Sequence, residues 1–141
     1  MKKATLLLAS LVVLALVGLR LAYANPMVSA TLDGIAELAG GDPDGSGQVV
    51  INISPGSGEI CYDLTVTGIE PATAAHIHHA PVGVNGPIVV ALTAPSSGSS
   101  QDCVTIDKDL AKDILQHPEE YYVNVHNADY PAGAIRGQLS R

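Results

Sequence analysis

The segment Ala75-His76-Ile77-His78-His79 concentrates the side chains best suited to chemistry, and His126, in Tyr121-Tyr122-Val123-Asn124-Val125-His126, supplies a further imidazole. Side chains two apart on a strand project from the same face, so His76 and His78 stand together while Ile77 turns to the core. A third imidazole from a neighbouring strand would complete a metal-binding set. Neutral imidazole suits Cu(II) or Zn(II), and three such ligands leave one coordination position open for Lewis-acid or redox chemistry. The same residues also fit a plainer role, with His76 and His78 hydrogen-bonded in a polar surface network and His126 bonded to a backbone carbonyl of the following turn. His79 faces away from the pair. His117, just before Pro118, suits a helix C-terminus.

The elements that must position these imidazoles are strands. Apolar residues alternate with period two at Val49, Ile51 and Ile53 and again at Ile60, Tyr62, Leu64 and Val66, which predicts half-buried strands over 48–53 and 59–67. Further strands are predicted over 28–36, 74–79, 87–93, 102–106, 121–126 and 134–140. Between them lie turn sequences such as Asp42-Pro43-Asp44-Gly45, Ser54-Pro55-Gly56 and Tyr130-Pro131-Ala132-Gly133. One helix is predicted over 107–116, where Leu110, Ile114 and Leu115 recur at helical spacing, Asp107 or Asp109 can cap the start, and Pro118 ends it. Eight short strands and one short helix predict an all-β fold, an antiparallel Greek-key β-sandwich. Its core must be made of Val, Ile, Leu, Ala and Tyr, because the chain contains no Phe or Trp.

Alternation also assigns faces. Tyr121, Val123 and Val125 share the core side of their strand, leaving Tyr122, Asn124 and His126 outside, and Ile135 and Leu139 turn Arg136 and Gln138 outward. If these strands adjoin the one carrying His76 and His78, a polar site forms outside one sheet. Arg136 then either steers an anion towards a metal, or is held structurally by an acid or against the ring of Tyr122 or Tyr130. Asp42, Asp44 and Ser46 imitate the start of a calcium loop, but Ile53 occupies the position of the bidentate acid, so a turn stabilised by Asx side chains is expected.

Residues 1–24 read as a signal peptide: Lys2 and Lys3 precede an apolar run over 4–19, and Ala22-Tyr23-Ala24 offers small residues to a signal peptidase. Cleavage before Asn25 is expected, with retention as an N-terminal anchor the alternative. Residues 25–141 then form one domain carrying four basic residues, Lys108, Lys112, Arg136 and Arg141, against fourteen acids. Such a surface excludes nucleic acid and anionic lipid as partners and leaves a metal ion or an extracellular protein. In an exported chain Cys61 and Cys103 are expected to form a disulfide, closing a loop of about 40 residues and contributing roughly 2 to 4 kcal/mol. The competing role is a thiolate metal ligand. The expected location is secreted, periplasmic or cell-surface.

Taken in order, Gly41-Asp42-Pro43-Asp44-Gly45-Ser46-Gly47, Gly58-Glu59-Ile60-Cys61-Tyr62, Ala75-His76-Ile77-His78, Gly83-Val84-Asn85-Gly86-Pro87 and Tyr121 to His126 followed by Tyr130 to Leu139 resemble the chordin-type (CHRD) domain family. The blocks span nearly all of 27–139. In chordin the domain accompanies cysteine-rich repeats and antagonises growth factors; two cysteines make no such repeat, so that role is not implied here. The resemblance implies a small exported binding or structural module. The His-x-His pair and the distant His126 are also similar to the copper ligands of Cu,Zn superoxide dismutase, which implies a copper-dependent oxidoreductase as an alternative function. That enzyme's bridging and zinc-ligating loop is missing between His79 and Cys103, so the similarity extends to a mononuclear site only. A third reading, an extracellular assembly or adhesion subunit, would use exposed strand edges.

Overall fold

The computed structural model describes residues 26–141; the expected signal segment and its cleavage point lie outside them. The elements are β1 (Met27–Asp33), β2 (Ser46–Ser54), β3 (Glu59–Thr67), β4 (Ala72–His79), β5 (Ile88–Leu92), β6 (Ser99–Thr105), α1 (Lys108–Gln116), a 3₁₀ turn (Pro118–Glu120), β7 (Tyr121–Asn127) and β8 (Ile135–Gln138). All eight predicted strands and the helix are present. The ends differ where side chains compete with the ladder. β1 stops at Asp33 because the Asp33 carboxylate accepts the Ala36 N–H and bends the chain away. β6 begins at Ser99, earlier than its sequence suggests, because Ser99-Ser100-Gln101-Asp102 bury almost nothing, so no apolar alternation marks the residues that pair with β3.

Every pairing is antiparallel, and the strands form one sheet in the order β5-β4-β7-β8-β1-β2-β3-β6. The two layers of the expected sandwich are therefore halves of a single sheet, joined where β8 meets β1 through the Asp33–Arg136 pair and the Ser29–Ser140 bridge. The free edges are latched by side chains: Tyr62 Oη accepts the Thr93 N–H at 2.7 Å, Thr93 Oγ1 donates to Asp102 at 2.8 Å, and Ser100 Oγ donates to the Thr93 carbonyl at 2.8 Å. Around this nearly closed ring the β3–β4 and β6–β7 connections each pass over two strands, giving the Greek key. The second carries α1, capped by Asp107, which accepts from the Asp109 and Leu110 N–H groups. Its buried Ala111 and Ile114 join the core, and His117 takes the expected C-cap position.

Between the halves lies a core of Val28, Leu32, Val49, Ile51, Ile53, Ile60, Leu64, Ile77, Val123, Val125, Ile135 and Leu139, all essentially inaccessible. The buried tyrosines keep their hydroxyls bonded, Tyr62 as above and Tyr121 to Asp113. Cys61 and Cys103 occupy opposite positions of the β3–β6 register and form the expected disulfide, which tethers the edge strand. Replacing both by Ser should lower the unfolding free energy by roughly 2 to 4 kcal/mol. Chemical denaturation of the double variant beside the parent protein measures this, and an unchanged midpoint would show that the ladder holds β6 unaided.

Candidate metal centre

Register brings the three imidazoles together. β7 lies between β4 and β8, with Ala74 opposite His126, His76 opposite Asn124 and His78 opposite Tyr122 on one side, and Arg136 opposite Asn124 and Gln138 opposite Tyr122 on the other. Because Val123 and Val125 face the core, the side chains of Tyr122, Asn124 and His126 fall beside those of His76 and His78. One ring nitrogen from each of His76, His78 and His126 lies within 4.8 Å of the others, and His76 Nδ1 stands 3.2 Å from His126 Nε2. Nitrogens bound at about 2 Å to one tetrahedral ion stand about 3.3 Å apart. The His76–His126 pair therefore already has ligand spacing, and a ring nitrogen of His78 lies within 4.8 Å of the other two ligand atoms.

The polar surroundings also orient the rings. His78 Nδ1 donates to the Gly86 carbonyl at 2.9 Å, and His126 Nδ1 donates to the Pro131 carbonyl at 3.0 Å. Carbonyls only accept, so the neutral form of each ring carries its proton on Nδ1 and a lone pair on Nε2. Both lone pairs face the cluster, as the histidines of a metal site require. Burial holds the His76 and His126 pKa values below the ordinary histidine range, helped in His76 by His126 and His78 and in His126 by His78; the carbonyl of Pro131 opposes the shift of His126. His79 stacks on Tyr121 at 4.6 Å, outside the cluster.

The site is less open than strand alternation suggests. The β4–β5 connection folds over it, and His78 is only 8% exposed. Arg136, 3% exposed, fastens this connection by donating from Nη1 to Asn85 Oδ1 at 2.9 Å and from Nη2 to the Val84 carbonyl at 2.6 Å. Its guanidinium lies 3.3 Å from the centre of the Tyr122 ring, which stacks in turn on His78 at 4.6 Å. Gln138 Nε2 donates to the Ala80 carbonyl, and Tyr122 Oη accepts the Gly86 N–H. Arg136 thus takes the structural role, stacked on Tyr122, with its guanidinium committed to the connection. The Asx turn expected at Asp42 is present too, its carboxylate accepting the Asp44 N–H.

One residue of the site escaped the sequence. Glu37, in the β1–β2 connection, is 7% exposed and its Oε1 has no hydrogen-bond partner. Burial raises its pKa above the usual carboxylate range, opposed first by Arg136 and then by the Asn124 amide. Asn124 was placed on this face by alternation, but its contacts were not foreseen: Oδ1 lies 3.0 Å from both His78 Nε2 and His126 Nε2. Glu37 follows the end of β1 in a turn rich in Gly and Ala, where no periodicity says which way a side chain points.

Fold and site together define a small disulfide-bonded all-β domain with an imidazole cluster under a fastened connection. The family model of the CHRD domain matches residues 28–139, and the chain belongs to the CHRD domain family. No curated protein and no solved structure matches it.

The depressed histidine pKa values have a consequence for stability. A group whose folded pKa lies below its unfolded value near 6.5 is protonated first in the unfolded chain, so its contribution is intact above about pH 6.5 and is lost as pH falls. Glu37 acts in the opposite sense, its penalty easing as pH falls towards 4.5. The metal-free protein should therefore lose melting temperature between pH 7 and pH 5.5, and His76→Gln should lose less over the same interval. Equal slopes by differential scanning calorimetry would contradict the assignment.

Proposed function

We propose that this domain is an exported binding or structural module that holds a single copper or zinc ion through His76, His78 and His126. The observation that carries the reading is the convergence of three ring nitrogens within 4.8 Å, two of them with lone pairs turned inward by backbone carbonyls. Membership of the CHRD family supports a binding or structural role. The disulfide is compatible with an oxidising compartment outside the cytosol, and among the described residues no helix is long and apolar enough to cross a membrane. A bound ion would hold β4 to β7 and offer an open coordination position to a ligand or a partner protein.

In the alternative of a dismutase-like copper oxidoreductase Arg136 would steer an anionic substrate, and Arg136 is spent on Val84, Asn85 and Tyr122. The adhesion reading needs free strand edges, and the β5 and β6 edges are latched to each other. Binding is thus the reading with support from the geometry.

The test is metal analysis of untagged protein reconstituted with Cu(II) or Zn(II) and freed of excess. One equivalent is expected, falling at least tenfold in His76→Ala. Retention of less than about a tenth of an equivalent by the parent protein, with no further loss in the variant, would defeat the proposal.

A further inference from the structure

We infer that Asn124 is a fourth ligand of the histidine site: its Oδ1 takes the coordination position that His76, His78 and His126 leave open and, being a weak donor to copper or zinc, yields it to a stronger incoming ligand. The inference rests on the metal reading above and adds to it the residue that closes the site and the way the site opens.

Register puts Asn124 at the middle of the cluster. It stands directly opposite His76 on β4 and two residues from His126 on its own strand, and His78 is its diagonal neighbour across the ladder. On the polar face of β7 it is therefore the side chain beside all three imidazoles, and it is 3% exposed. Its Oδ1 lies 3.0 Å from His78 Nε2 and 3.0 Å from His126 Nε2, and His126 Nε2 lies 3.2 Å from His76 Nδ1. Ligand atoms about 2 Å from one tetrahedral ion are separated by about 3.3 Å. The four donor atoms thus already form a chain of three contacts close in length to the edges of a single coordination tetrahedron.

Hydrogen bonding does not account for the two contacts of Oδ1. The Nδ1–H groups of His78 and His126 are taken by the carbonyls of Gly86 and Pro131, so in the neutral rings each Nε2 presents a lone pair. An amide oxygen has no proton to offer them. Three acceptors therefore face one another in a buried place, where unmatched polar atoms cost most, and a cation among them turns the arrangement from unfavourable to favourable. The opposite orientation of the amide makes the opposite prediction: Nδ2 would donate to both Nε2 atoms, and Asn124 would compete with a metal instead of binding it.

The type of donor sets how the site works. Imidazole suits copper and zinc, whereas carbonyl oxygen is matched to harder ions such as magnesium and calcium. Asn124 is accordingly the weakest of the four ligands and the first to leave. A four-coordinate zinc ion is then enclosed at rest by two residues of β4 and two of β7. It opens to a partner or a small ligand by exchange of the amide oxygen alone, with the three imidazoles still in place.

The experiment measures zinc affinity by competition with a chelator in the parent protein, Asn124→Leu and Asn124→Asp. Asn124→Leu should lower the affinity by about tenfold or more, at least the cost of losing an outer ligand-orienting group. The carboxylate of Asn124→Asp, a stronger zinc donor, should raise it. Unchanged or higher affinity in Asn124→Leu would overturn the inference, since that is the behaviour of an amide that blocks the imidazoles. Should Asn124→Leu not fold, Asn124→Asp decides, and an affinity at or below that of the parent overturns the inference equally. Exchange is read from the visible absorption of the cobalt(II) protein during titration with azide. The spectrum of the parent should change only at higher azide concentration than that of Asn124→Leu, and equal concentrations would show that the amide holds no position on the metal. A parent protein that retains no zinc defeats the metal reading itself, whereas retention unaffected by Asn124→Leu defeats only the role of Asn124.

Discussion

The two-residue period of β7 is the constraint on which both core and site depend. This strand pairs with β4 on one side and β8 on the other and is buried on both faces over most of its length. One face, Tyr121, Val123 and Val125, closes the core. The other, Tyr122, Asn124 and His126, meets His76 and His78 from β4 and Arg136 and Gln138 from β8. A slip of one residue would exchange the faces, placing valines under the connection and polar groups in the core. The apolar side of the strand thus fixes the geometry of the polar side, and the imidazoles are held with the rigidity of the sheet.

A polar face of this kind costs free energy when covered unless each group finds a partner. Here the partners come from backbone: Val84, Gly86, Ala80 and Pro131 supply carbonyls, while Gly86 also gives an N–H to Tyr122. These bonds work in two directions. They satisfy the sheet's side chains, and they give an otherwise irregular connection a defined conformation. The stack of Arg136 on Tyr122 on His78 joins the two effects, since the cation that grips Val84 and Asn85 also packs the ring that supports His78.

How much of this the sequence disclosed follows from the range of the interactions. Strand alternation is local, and it placed His76, His78, His126, Arg136 and Gln138 outside and marked every strand to within a few residues. It misjudged β6, because an edge strand with almost no buried face carries no apolar alternation. Adjacency of β4 and β7 depends on the long β6–β7 crossover, so the union of the three imidazoles was legible only as a condition. The covering connection and Glu37 were not legible at all. Their positions are set by turns, by bonds to backbone carbonyls and by the absence of a Cβ at Gly41 and Gly133, none of which leaves a periodic trace.

Burying Arg136 and Glu37 together is an expensive way to obtain stability, since a pair of buried charges often does no better than apolar side chains of the same volume. Specific placement is a better account of the arrangement. An apolar residue at position 136 could fill the space over Tyr122 but could not select the Val84 carbonyl and the Asn85 side chain, so the connection would lose its register over His78. Arg136 thus fixes the connection that orients His78, while the Glu37 carboxylate lies against the glycine backbone at Gly41 and Gly133, where a Cβ would collide with it.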